Sequence, residues 1–202
     1  EKDIHYEFDG NHQLMQWVGV ISYFSLSLFG CFKLMMTLES LAQVALVIFN
    51  CILAYAAADL VSGLVHWTFD RYFSVATPVL GQNFVLPFRI HHIDPKEMTL
   101  HGFLATNGNN CLVTLPFLVP LLLAPAAGES LWWLSIHTFV IGLCGGIFAT
   151  NQFHLWAHSE SVPQWVAFLQ RKRLILCPQH HSIHHKAPYN THYCITTGWL
   201  NK

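Results

Sequence analysis

Charge is what this chain has least of. Only 10% of its 202 residues are Asp, Glu, Lys or Arg, against roughly 25% in soluble domains, while 53% are hydrophobic and the mean hydropathy is +0.38. That shortage excludes a domain solvated by water on every side. The formal net charge of -1 also lacks the basic surplus that a nucleic-acid partner demands. The six cysteines, Cys31, Cys51, Cys111, Cys144, Cys177 and Cys194, contain no C-x-x-C pair; they read as packing residues, not as a disulfide framework or a zinc site. The opening residues Glu1 to His5 lack the basic start and short apolar core of a cleaved signal peptide. Every apolar segment is therefore expected to remain in the mature protein.

What is abundant is apolar sequence, and it comes in blocks, which predicts one all-α integral membrane domain over residues 1–202. A hydrocarbon core about 30 Å thick needs roughly 20 residues of helix. Four spans are predicted, at about 14–36, 41–64, 111–127 and 131–150. Lys33 stands near enough to the end of the first to snorkel. Pro116, Pro120 and Pro125 should kink or tilt the third, and Trp132 and Trp133 suit an interface at the start of the fourth. Short connections at 37–40 and 128–130 pair the helices into two hairpins. The polar stretches 65–110 and 151–202 then share one face with the N-terminus. Nine of the ten Lys and Arg residues fall on that side, all but Lys33, so the positive-inside rule makes it cytoplasmic.

Fourteen histidines is a high count, and their placement says more than their number. His137 falls within a span and, like His192, reads as a hydrogen-bonded packing residue; His5 and His12 read as solvated. Eleven, His192 included, lie on the polar segments after the second and fourth spans, and the other ten form four groups. Asp59, His66 and Asp70 form the first, with His66 and Asp70 four residues apart on one helical face. The second is His91, His92 and Asp94, followed by His101. The third is the i, i+4 pair His154 and His158. The fourth, His180, His181, His184 and His185, offers two i, i+4 pairs if helical. Imidazoles so spaced converge on metal, and four groups suffice for two ions.

Ligand softness alone admits Zn, Cu, Ni or Fe. Ligand count favours two irons, because four ligands close a structural zinc and eight or more histidines exceed that. Asp70 and Asp94 are candidates for a ligand and for an acceptor of an imidazole N–H. An oxygen-derived oxidant also suits the setting, since acid-base side chains cannot attack an unactivated C–H bond in a lipid chain. Arg89 and Lys96 are candidates to hold a substrate phosphate, and Asn107 or Asn110 to orient a metal-bound water. Arg171, Lys172 and Arg173 read as a lipid-headgroup contact after a short helix with Ser161 as N-cap and Pro163 in its first turn.

Four strings carry a resemblance: ADLVSGLVHW from Ala58 to Trp67, PFRIHHIDP from Pro87 to Pro95, TNGNNC from Thr106 to Cys111, and YCITTGWLN from Tyr193 to Asn201. Together they resemble the Kua, or plasmanylethanolamine desaturase, family. The resemblance implies a di-iron, O2-dependent membrane enzyme. It would desaturate the 1-O-alkyl chain of an ethanolamine phospholipid to the vinyl ether of a plasmalogen, with electrons from cytochrome b5, in the endoplasmic reticulum or equally a bacterial inner membrane. Its motif positions fall on His66, Asp70, His91, His92, His154, His158, His181, His184 and His185. His101 and His180 are less secure, because the family's plant branch, which places a trans double bond in a plastid phosphatidylglycerol, does not require histidine there. The His91 to Pro95 segment and the Thr-Thr-Gly-Trp-Leu string look closer to the plasmalogen branch. Family members commonly continue past Asn201, whereas this sequence ends at Lys202.

Two alternatives stay open. The same metal set serves a fatty-acyl desaturase or a hydroxylase. A membrane metal or haem transporter is a different class, and it would want ionisable residues along its spans, where only His137 and Asp59 stand out.

Overall fold

The computed structural model describes residues 10–78 and 80–202, the side chain of Asn83 apart; His5 lies outside them. The described residues are helical and contain no strand. Four long elements run up, down, up and down: α1 (Gly10–Met36), α2 (Leu41–Arg71), α4 (Phe103–Leu118) and α5 (Leu131–His158). Short helices α3 (Leu86–Ile93), α6 (Gln164–Arg171) and α7 (Pro178–His184) close one end.

Local chemistry sets the turns at the opposite end. Ser40 caps α2 with Gln43 in a reciprocal capping box, and Ser130 caps α5 through the Trp133 amide. Each cap satisfies amides that a helix start leaves without partners. The two turns lie together, since a Cβ on Gly128 would sit 3.3 Å from Thr37.

Packing pairs α2 with α5 and α1 with α4, with α4 against α5 between them. Small residues let α2 and α5 approach: a Cβ on Gly146 would meet the Ala58 methyl at 2.4 Å. Outward faces remain apolar. Leu28 is 69% exposed on α1 and Leu41 88% on α2, amid a continuous run of exposed Ile, Leu, Phe and Met. Such a surface needs lipid as its solvent. Helices α1, α2 and α5 are each long and apolar enough to cross a membrane, and the chain is built as an integral membrane protein.

Boundaries differ from the hydropathy reading where polar groups find partners. Helix α2 continues past residue 64 to Arg71, and α5 past residue 150 to His158; these extra turns carry His66, Asp70, His154 and His158. Helix α4 begins at Phe103, not near residue 111, because its asparagines bond to α5: Asn107 donates to Gln152 Oε1 at 3.0 Å and Asn110 to the Ile147 carbonyl at 2.7 Å. Both asparagines therefore stitch helices through their amide N–H groups. It ends at Leu118 in a 3-10 turn, Val119–Leu122, led by Pro120, which has no N–H to continue an α-helix. Helix α6 starts at Gln164 behind Pro163, so Ser161 is not its cap. All six cysteines are free thiols.

Candidate metal centre

Two groups of donors meet where α2 and α5 end. His91 on α3, His154 and His158 on α5, His181 on α7 and His185 just after it place one donor atom each within 4.8 Å of all the others. His66 and Asp70 on α2, His92 on α3 and His184 on α7 form the second group by the same measure. Neighbours in sequence divide between groups because successive helical residues point about 100° apart. His91 serves one side and His92 the other; His184 and His185 separate likewise.

The spacing matches ligation. An ion bound at about 2.0–2.2 Å in octahedral or tetrahedral geometry holds adjacent donors about 2.8–3.6 Å apart, and most of these donors stand at that spacing. In the second group the His66, His92 and His184 Nε2 atoms stand 3.5, 3.6 and 3.8 Å from Asp70 Oδ2. In the first, His181 Nε2 lies 2.8 Å from His154 Nε2 and 3.0 Å from His185 Nε2. His66 Nε2, both Asp70 carboxylate oxygens, both His91 ring nitrogens and His158 Nε2 are buried without a hydrogen-bond partner. Buried polar atoms are almost always satisfied, so this many orphans aimed at two points fit two cations.

The electrostatics agree. Burial, reinforced by neighbouring imidazoles, holds His92 and His185 down at about 4. Burial also pushes His91, His181 and His184 below the ordinary histidine range. These rings are therefore neutral at pH 7, with lone pairs free to ligate. A backbone carbonyl selects the tautomer of two of the rings: His66 Nδ1 donates to the Tyr193 carbonyl at 3.2 Å and His184 Nδ1 to that of Thr191 at 2.8 Å. Each leaves Nε2 unprotonated toward the donor group.

A family model described as the lipid desaturase domain matches residues 55–202. The chain belongs to the lipid desaturase family. Plasmanylethanolamine desaturase of Myxococcus xanthus is 45% identical over 188 residues, covering 93% of this chain and 66% of that protein. Plasmanylethanolamine desaturase 1 of Mus musculus is 41% identical over 198 residues, covering 94% and 71%. The chain thus spans about two thirds of the length of these relatives. Fatty acid desaturase 4, chloroplastic, of Arabidopsis thaliana is 35% identical over 150 residues, covering 73% and 44%. No solved structure gives a significant match.

Within this lipid desaturase fold the other candidates fall elsewhere. His101 pairs with Glu97 at 2.9 Å, and His180 packs ring to ring with His192, centroids 5.1 Å apart; neither joins a donor group. Asp94 accepts the Lys96 amide in a local turn. Lys96 pairs with Glu160, both largely exposed. Arg89 donates to the Asp70 and Phe73 carbonyls at 2.9 and 3.4 Å; it closes the C-terminal end of α2 and so steadies the helix turn that carries Asp70. His12, expected in solvent, bonds Asn109 Oδ1 at 3.0 Å, and His137 bonds the Trp133 carbonyl at 2.9 Å.

Asp59 is the residue whose role sequence reasoning missed. Fully buried on α2, it accepts the amides of Thr196, Thr197 and Gly198 on Oδ1 and of Leu200 on Oδ2, at 2.7–3.2 Å. Ser62 Oγ accepts the Ile195 amide, and Thr150 and Thr196 share a hydroxyl bond at 2.7 Å. Residues 191–201 thus form a strap folded onto α2 and α5, and the same strap supplies the carbonyls behind His66 and His184. Tyr189, just before it, stacks on His92 with ring centroids 5.1 Å apart. A lone acid seven residues before His66 in an apolar run was the available signal. The carbonyls left none, since every residue has one.

Proposed function

We propose that the chain is an O2-dependent, two-iron lipid desaturase that converts the 1-O-alkyl chain of an ethanolamine phospholipid to the vinyl ether of a plasmalogen. The observation that carries the reading is the adjacency of two buried donor groups, eight histidines and one aspartate, at one end of a lipid-facing bundle. Four ligands close a structural metal site; nine donors in two groups provide for a binuclear one. The names of the Myxococcus and mouse relatives support the ether-lipid substrate.

Two irons, when bound, supply the reduction of dioxygen to an oxidant able to take hydrogen from an unactivated C–H bond. The chain's own residues do the positioning. The nine donors fix the metals, and the strap carbonyls keep the His66 and His184 rings in register. Phe69, Phe84 and Phe88 stack in series beside His66. They give an alkyl chain an apolar wall along which one C–C bond is oriented, and that orientation decides which hydrogens leave. Electrons come from cytochrome b5 or an equivalent carrier.

The same reading makes α4 the fourth span. Its 16 residues rise about 24 Å and the 3-10 turn adds about 8 Å, enough for a core about 30 Å thick. The donor end, rich in Lys and Arg, faces the cytoplasm, in the endoplasmic reticulum or a bacterial inner membrane.

The test is to incubate the purified, iron-loaded protein with plasmanylethanolamine, a reductant and cytochrome b5, and to assay acid-labile vinyl ether. Vinyl ether is expected. A stable alcohol as the sole product rejects desaturation, and a double bond confined to an ester-linked acyl chain supports the reading suggested by the Arabidopsis relatives. Metal analysis should give about two irons per chain; a haem Soret band contradicts the assignment.

A further inference from the structure

A second polar site flanks α7. Between α6 and α7 lies a cleft whose lining includes Arg171, Arg173, Cys177, Gln179, His180 and His192. None of its lining residues is acidic, so two arginines and two histidines share the cleft with no carboxylate in its wall; the Asp59 charge that His180 feels from behind is already taken up by four backbone amides. His180 Nε2 and His192 Nδ1 are buried and have no hydrogen-bond partner. Burying such atoms without partners is costly. The described residues hold no third cluster of three close metal donors, which leaves an anion as the group that fits.

The chemistry of that anion follows from its surroundings. Guanidinium forks match the several oxygens of a phosphate better than a point charge does, and imidazole N–H groups add two further donors. Helix α6 is short and amphipathic: Val166 and Gln170 are buried, while Trp165 is 57% and Phe168 48% exposed. Exposed Trp and Phe beside a basic run mark a segment lying at headgroup depth. Arg173 is held in place through its carbonyl, which accepts the Trp199 indole N–H.

We propose that this cleft binds the phosphate of a phospholipid headgroup from the surrounding leaflet, as an anchoring site separate from the two donor groups. The inference does not depend on which reaction the metals perform.

The experiment follows thermal unfolding of the purified metal-loaded protein in neutral detergent. Dioctanoyl phosphatidylethanolamine should raise the unfolding temperature saturably. Dioctanoylglycerol, which lacks the phosphate, should not, and inorganic phosphate should act only at far higher concentration. Replacing Arg171→Gln together with Arg173→Asn, the latter chosen because Arg173 has a left-handed backbone at φ 54° that Asn tolerates, should weaken the phospholipid effect roughly tenfold or more. Lys33→Gln, at the other end of the bundle, should respond as the parent protein does. Retained metal reports that the double variant is folded; if it is not, Arg171→Gln alone supplies the comparison. Equal protection by dioctanoylglycerol, inorganic phosphate matching the phospholipid in potency, or undiminished response in the arginine variant overturns the proposal.

Discussion

The Asp59 carboxylate accepts the Thr197 amide at 2.7 Å across 138 residues of sequence, and this bond joins the middle of α2 to the strap that backs the metal donors. A buried carboxylate is costly unless its lone pairs are filled. Four amide donors fill them, so the chain gains a fixed strap where an unpaired acid would be a liability.

Replacing Asp59 tests this arrangement. Asp59→Asn keeps one accepting oxygen but sets an NH2 group against the Leu200 amide; the expected cost is about 1–3 kcal/mol. Asp59→Ala leaves four donors without an acceptor and should cost about 3 kcal/mol or more. Because Tyr193 and Thr191 hold His66 and His184, metal should be lost from their group before the five-histidine group. Unfolding temperature and metal per chain measure both effects. Unchanged metal content in Asp59→Ala would refute a positioning role for the strap.

Gly146 gives a second test. Adding a methyl there drives it into the Ala58 methyl at 2.4 Å, pushing apart the two helices that carry His66, Asp70, His154 and His158. Gly146→Ala should destabilise the protein by roughly 1–3 kcal/mol and lower activity through misplaced donors. Adding Ala58→Gly removes the opposing methyl and should recover much of both losses. The double-mutant cycle reads the coupling directly, and strictly additive losses would mean that the methyl contact is unimportant.

Sequence spacing exposes the donors because i, i+4 imidazoles on a helix end have few other reasons to recur: His66 with Asp70, His154 with His158, and His181 with His185 all converge. Spacing fails for His180, equally placed four residues before His184, because α7 turns that ring toward His192. It fails for His101, which finds Glu97 one turn back. Hydropathy locates α1, α2 and α5 but misplaces the ends of α4. Polar residues such as Asn107 and Asn110 depress an apolar window even when a neighbouring helix satisfies them. The strap is hardest to foresee, since its contribution to the metal site comes from backbone carbonyls.

Ligand removal should separate the two classes of histidine. His158→Ala deletes a donor from the five-histidine group and should reduce bound metal from about two ions to one or fewer, with loss of product. His101→Ala should leave the metal content at the parental value, because its ring pairs with Glu97 outside both donor groups. Elemental analysis of both purified variants decides the matter. Equal metal loss in the two would show that the donor groups are wrongly drawn.

Acid should unmake the centre, and the sign follows from the depressed histidines. His92 and His185 titrate near 4 in the folded chain, below the value of about 6.5 for an unfolded histidine. Between those limits the unfolded state binds more protons than the folded one, so stability rises with pH across the window. The metal-free protein should be insensitive to pH above about 7 and lose stability steadily as pH falls from 6.5 toward 4. Metal shifts the curve further, since protons compete with cations for the same Nε2 lone pairs. Retention of metal should therefore fall in the same direction but begin at lower pH, where bound ions have protected the rings. Thermal unfolding with and without metal from pH 4 to 8 measures both curves, and a metal-free protein most stable at the acid end contradicts the neutral, buried state of these imidazoles.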